Sequence, residues 1–176
     1  EFHQDYPGIK INVVNELTSN LISDLKLGKL DFVIFNESNI KEEGLELRKL
    51  KELKMGFVYN PKYFEDKIVN IEDLNYYPLI LQKEASNTRK FLDNLLLAKG
   101  IRLVPKMEVV SQDLIMEFAN IGLGFGFGFV DLAKEKYKNL QEIDLNKELP
   151  STSVYLGVNK DMSLSFASKT FIKYLK

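Results

Sequence analysis

The sequence predicts an α/β fold with a largely parallel sheet, and three observations carry that expectation. Short runs rich in β-branched and aromatic residues recur along the chain. Amphipathic segments lie between them, several opened by Ser or Thr and closed by Gly. Strands alternating with capped helices read as βαβ units. The 176 residues are 45% apolar, enough to cover such a sheet on both faces.

Taken in order, Tyr6-Pro7-Gly8 is a turn, and residues 9–14 (IKINVV), nearly all β formers, are the first strand. Thr18 is placed as the N-cap of the next helix, with Leu17 and Ile22 at the hydrophobic-staple positions. Leu21, Ile22 and Leu25 share one face of it, and Gly28 ends it. Residues 30–35 (LDFVIF) are apolar on both faces, as in a buried parallel strand. A polar loop over residues 36–44 leads to a short edge strand over 45–50 and another strand over 53–59, stopped by Asn60-Pro61. A connector over 61–77 carries one helical turn at residues 71–74. The strand PLILQ (78–82) precedes a helix capped by Ser86, with face Phe91, Leu92, Leu95 and Leu96, and Gly100 past its end. Residues 106–110 (KMEVV) are a strand. Ser111 or Asp113 caps a helix carrying Leu114, Ile115, Phe118 and Ala119, ended by Gly122. A strand over 123–130, a short helix over 131–138 and a strand over 154–158 follow. A last helix, capped by Ser163, presents Leu164, Ala167, Phe171, Tyr174 and Leu175.

Composition excludes several function classes. Charges nearly cancel, with 24 Lys and Arg against 25 Asp and Glu, for a net charge of −1. Disorder needs low hydrophobicity or large net charge, and a self-sufficient nucleic-acid binder needs a basic excess. Zero cysteines exclude disulfides, thiol catalysis, thiolate zinc sites and iron–sulfur clusters, and the one histidine, His3, precludes a multi-histidine metal site. His3 reads as a helix-surface residue. No apolar run approaches the ~18–20 residues of a membrane span, and no signal-peptide core opens the chain. The opening Glu1-Phe2-His3-Gln4 reads as the interior of a longer chain.

The run from Gly122 to Phe129 (GLGFGFGF) resembles a nucleotide loop only superficially. The dinucleotide pattern needs Gly at its sixth position, where Phe127 stands, and the order here is helix then glycines. As a strand of period two it sets Leu123, Phe125, Phe127 and Phe129 on one face. Gly124, Gly126 and Gly128 leave the other face bare, for close packing or for a ligand wall. Arg89, in the first turn of a helix where cations are disfavoured, reads either as an anion ligand or as a surface salt bridge. Asn36, Ser86, Asn87, Ser111 and Gln112 each follow the C-terminal end of a predicted strand, where open α/β sheets bind ligands.

Order and spacing then become specific. Phe2-x-x-x-Tyr6-Pro7-x-Ile9-x-Ile11, followed by Leu25-x-x-Gly28-x-Leu30-Asp31-Phe32-Val33-Ile34, resembles the opening of the effector-binding domain of LysR-type transcriptional regulators. So do Ile71-x-Asp73-Leu74 before Pro78-Leu79-Ile80-Leu81, and Arg89-x-x-Leu92-Asp93. Glu108-Val109 before Gly122-x-Gly124, and Leu164-Ser165-x-Ala167-x-x-x-Phe171-Ile172, continue the likeness over nearly the whole chain. It departs at Gly128 and Phe129, where the family has a small apolar run ending in Pro, so that cleft wall should be reshaped.

The resemblance implies two Rossmann-like lobes, as in type 2 periplasmic binding proteins, with a ligand cleft between them. Lobe I is expected over residues 1–60 and 156–176, and lobe II over 61–155. A small effector, expected to be anionic, would meet Thr18, Ser19 and Asn36 of lobe I and Ser86, Asn87, Ser111, Gln112 and Phe127 of lobe II. The resemblance places the domain's first strand, most of its first helix and a winged helix-turn-helix before Glu1, so DNA would be reached only through that absent N-terminal domain. It also implies a cytoplasmic protein, a homodimer or homotetramer, with the helix over residues 88–99 and its Leu97 as candidate contact. No cofactor, metal or membrane partner is expected. A transporter's solute-binding protein of the same fold is the alternative. An enzyme ranks third, for want of a nucleophile–base pair.

Overall fold

A computed structural model describes residues 1–37, 42–65, 70–145 and 149–175. In chain order the elements are α1 (Phe2–Asp5), α2 (Thr18–Lys26), β1 (Val33–Glu37), β2 (Leu45–Leu53), β3 (Met55–Tyr59), a 3-10 helix (Ile71–Tyr76) and β4 (Leu79–Gln82). There follow α3 (Asn87–Leu97), β5 (Met107–Val109), α4 (Gln112–Asn120), β6 (Phe125–Phe129), α5 (Val130–Lys136), β7 (Gln141–Glu142), β8 (Thr152–Asn159) and α6 (Phe166–Tyr174). The chain divides into two compact units, Glu1–Lys51 with Ser153–Lys176, and Glu52–Thr152. No helix among the described residues is long and apolar enough to cross a membrane.

The first unit is built on a sheet of order β1-β8-β2. Ile22 and Leu25, three apart on one face of α2, bury against Val33 and Phe35 of β1 and Leu45 of β2. Gly28 stops α2 with φ of 71°, and the Lys29 N–H closes the end by donating to the Asp24 carbonyl at 2.9 Å. Phe2 of α1 is buried with its ring 4.9 Å from Phe171 and 5.3 Å from Tyr174 of α6. The Tyr174 hydroxyl donates to Asp5 at 2.6 Å. That bond to a carboxylate holds the phenol proton and pushes the Tyr174 pKa up to about 12.

The second unit is a sheet of order β5-β4-β6-β3-β7 with apolar layers on both faces. β4 runs parallel to β5 and β6, while β3 runs antiparallel to β6 and β7. Strand periodicity sorts the side chains. Leu79, Leu81, Phe57, Phe125 and Phe127 pack with Leu92 and Leu96 of α3. Ile80 and Val58 pack on the opposite face with Ile115, Met116 and Ala119 of α4 and Val130 and Ala133 of α5. Phe125 and Phe127 thus share a face, as the alternation predicts.

Several expectations are corrected. Residues 9–14 belong to no strand; a strand exists only when a neighbour takes its N–H and C=O groups, and β propensity alone supplies none. Val13 consequently stands 86% exposed. β1 starts later than residue 30 and pairs antiparallel with β8 at the end of its sheet, so Ile34 faces outward instead of being buried. The sheets are mixed, not largely parallel. Leu17, not Thr18, is the N-cap of α2: its φ of −62° and ψ of 144° are extended, and its carbonyl accepts from Asn20 and Leu21. Thr18 is therefore the first helical residue, and the staple positions do not apply. Ser165, not Ser163, caps α6, accepting from the Ser168 N–H at 3.1 Å. β3 belongs to the second unit, where the sequence reading has it in the first, because its ladder partners are Gly126 to Phe129 and Gln141 to Glu142.

Candidate functional site

In the second unit, β4 and β5 are parallel neighbours in the register Leu81↔Glu108 and Gln82↔Val109. Each is followed by a capped helix. Ser86 caps α3 by accepting from the Arg89 N–H at 3.1 Å, and Ser111 caps α4 by accepting from the Leu114 N–H at 3.5 Å. Two helix N-termini therefore rise from adjacent strand ends, each presenting orphan N–H groups and the positive end of a helix dipole. Asn87 and Gln112 are the first residues of α3 and α4. Ser86, Asn87, Ser111 and Gln112 are thus brought to one edge of one sheet.

Two glutamines shape that edge. Gln82, at the end of β4, donates its amide to the Val110 carbonyl at 2.8 Å. Gln112 donates its amide to the Phe127 carbonyl at 3.1 Å. These carbonyl acceptors fix each amide's orientation, because an amide oxygen could not take the nitrogen's place against another oxygen. The Oε1 atoms of Gln82 and Gln112 are shielded from solvent and have no hydrogen-bond partner among the described residues.

The glycine run explains how Gln112 fits. Cβ atoms at Gly126 and Gly128 would run into α4, the first against Ile115 and Ala119 and the second against the Gln112 amide and Met116. Gly124 lies on the Pro78 carbonyl. The bare face of β6 is therefore a helix-packing face, and Gly128 is also where the Gln112 amide lies. Phe127, a candidate effector contact, is 2% exposed, with its ring 4.9 Å from Phe57. It enters this edge only through its backbone carbonyl.

Arg89 is committed to the protein. It is buried, its Nε meets both Asp93 oxygens at 3.0 and 2.9 Å, and its Nη1 meets Glu108 at 2.7 Å and the Gln82 carbonyl at 3.2 Å. Burial alone would lower its pKa; the bonds to Asp93 and Glu108 outweigh that and raise it. The guanidinium ties α3 to β4 and β5, so Arg89 is in ion pairs as the second reading has it, but buried rather than at the surface. Both carboxylate side chains are 43% exposed and can turn to water when the arginine is removed. Arg89→Met is therefore expected to lower stability by about 2 kcal/mol, below the cost of breaking a fully buried pair. An unchanged urea midpoint would show that the network contributes nothing.

In the first unit, Thr18 and Ser19 form the first turn of α2, and no side chain caps that helix. Asn36 lies within β1 opposite Val154, not after the strand. Gln82 and Gly128 are absent from the sequence-based candidate set. Gln82 carried one signal, a polar residue ending an otherwise apolar strand; the partner of Gly128 is far along the chain.

A family model described as the LysR substrate binding domain matches residues 1–176. The chain is 24% identical over 179 residues to the HTH-type transcriptional activator CmpR of Synechocystis sp. (strain ATCC 27184 / PCC 6803 / Kazusa), covering 99% of this chain and 59% of the activator. It therefore spans about three-fifths of that relative's length. Among solved structures, the regulatory domain of Synechocystis PCC6803 CcmR in complex with 2-PG superimposes with a TM-score of 0.79 at 20% identity, over 99% of this chain and 85% of that one. The effector-binding domain of QuiR in complex with shikimate gives 0.74 at 22% identity, over 99% and 84%.

Proposed function

The chain belongs to the LysR substrate binding domain family, and on that premise we propose that it is the sensing part of a transcriptional regulator whose effector is a small anion. The reading is of binding without catalysis, with DNA contacted by a separate part of the regulator. The observation that carries it is the pair of capped helix N-termini, α3 and α4, rising from the adjacent parallel strands β4 and β5. Helix N-termini favour anions through their free N–H groups and dipoles. Hydroxyl and amide side chains add directed donors without burying a fixed charge. The solved relatives named above hold 2-PG and shikimate, which supports a small ligand for this fold.

We assign the effector contacts to Ser86, Asn87, Ser111 and Gln112 in the second unit and to Thr18 and Ser19 in the first. Thr18 gives a clean test because its side chain caps no helix. Thr18→Val is expected to leave stability within about 0.5 kcal/mol. It should weaken effector binding by about 1.5–3 kcal/mol if the hydroxyl meets a charged group, with Thr18→Ser retaining affinity. Thermal shift across a metabolite panel, followed by calorimetry, makes the measurement. Binding of only neutral or cationic compounds would refute the anion reading. Equal affinity in Thr18→Val would remove Thr18 from the site.

A further inference from the structure

We propose that Met162 is a modification site, the methionine of this chain that peroxides oxidise to the sulfoxide, and that its oxidation loosens the C-terminal end of α2. Attack on a thioether needs an accessible sulfur, and exposure separates the four methionines. Met162, in the turn between β8 and α6, is 50% exposed. Met55 and Met116 are buried at 1% and 4%, and Met107 is half-buried on β5.

The position of Met162 gives its oxidation a consequence. Its thioether lies on Gly28, where a Cβ would run into the Met162 Cε and Sδ atoms. Gly28 is the residue whose φ of 71° stops α2. A second tie comes from the same turn. The Asn159 amide, at the end of β8, donates to the Leu25 and Lys26 carbonyls, both at 3.4 Å. Its Oδ1 accepts the Asp161 N–H at 2.9 Å, and the Met162 N–H reaches the Asn159 carbonyl at 3.4 Å. One turn thus meets the end of α2 twice, with an amide on its last carbonyls and a thioether on its stop residue. The site lies at the opposite end of α2 from Thr18 and Ser19 and does not depend on the effector reading.

With hydrogen peroxide the sulfur lone pair attacks one oxygen, and the O–O bond breaks as the S–O bond forms. The departing hydroxide takes the proton from the oxygen now on sulfur and leaves as water. Sulfur gives up two electrons and the peroxide takes them. The product puts a polar oxygen on a side chain that was packed as an apolar one. The backbone at the α2 stop offers that oxygen no donor: the Gly28 N–H is given to the Leu25 carbonyl and the Lys29 N–H to the Asp24 carbonyl. The sulfoxide therefore turns to water, and the contact with Gly28 is lost.

The test treats the full chain, folded, with hydrogen peroxide and maps the products by mass spectrometry. Met162 is expected to oxidise about tenfold or more faster than Met55, Met107 and Met116. Hydrogen exchange on the same samples should show the amides of Leu27, Gly28 and Lys29 exchanging about threefold or more faster after oxidation. Methionine sulfoxide reductases should restore the slow rates. Met162→Leu keeps an apolar side chain without sulfur, so peroxide should leave its exchange rates unchanged. Met162→Gln, polar and of similar length, should exchange fast without peroxide. If another methionine oxidises first, Met162 is not the site and the inference fails. If Met162 oxidises while these amides keep their rates, or if Met162→Leu responds to peroxide as wild type does, the thioether does not hold the end of α2 and the inference fails as well.

Discussion

Replacing Phe125 with Ala should lower folding stability by about 3–5 kcal/mol, the range for deleting a large buried aromatic. Phe125 is fully buried in the middle of the second unit. Its ring lies 5.2 Å from Tyr59, 4.8 Å from Phe64 and 4.8 Å from Tyr77. Its N–H is bonded to the Pro78 carbonyl at 2.8 Å. Three rings lose a partner at once, and the two supplied from outside β6's ladder neighbour β3 come from the connector between β3 and β4. The cavity cannot close by one side chain turning. Phe166 serves as the control, because it is 78% exposed, so Phe166→Ala should change stability by no more than about 0.5 kcal/mol. Urea unfolding of the two variants makes the comparison, and a loss below about 1 kcal/mol for Phe125→Ala would show that the aromatic cluster is not the core of this unit.

Gly124→Ala is the second large effect. A Cβ there would overlap the Pro78 carbonyl oxygen, with Ile80 Cγ1 3.2 Å away. The obstacle is backbone, and that same oxygen accepts the Phe125 N–H. No flexible side-chain end can give way, so β4 and β6 must move apart. The expected cost is about 3 kcal/mol, the upper part of the overpacking range. Gly8→Ala meets nothing within 4 Å and should leave the urea midpoint unchanged or slightly higher. Equal midpoints for the two variants would contradict the packing account of the glycine run.

Much of the fold is legible in the sequence where the signal is local. Ser86 and Ser111 cap α3 and α4 because a hydroxyl two or three residues before a free N–H needs no distant partner. Gly28, Gly100 and Gly122 take positive φ at the ends of α2, α3 and α4 for the same reason. Alternation placed Phe125 and Phe127 on one face before any partner was known. The family is legible because its motifs recur in order over the whole chain, which no single motif would establish.

The candidate site divides along the same line. Its serines were visible as caps, but Gln82 joins them only because Val110 lies across the register from the end of β4. Arg89 has one partner in local reach, Asp93 one helical turn on, but Glu108, which ties it to β5, lies nineteen residues away.

By itself, then, the sequence determined the starts of α3 and α4, the glycine stops of α2, α3 and α4, the alternating faces of β6 and the family, since each depends on residues within a few positions of one another or on their order. The tertiary structure decided whether those pieces find partners. Residues 9–14 have the composition of a strand and form no ladder, while β3 leaves the first unit because Met55 pairs with Phe129. The glycines of β6 became a packing face because α4 lies on them, and Gln112 is anchored on the Phe127 carbonyl because Gly128 leaves room for its amide. Ladder registry and steric exclusion act between groups far apart along the chain, and only folding brings those groups together.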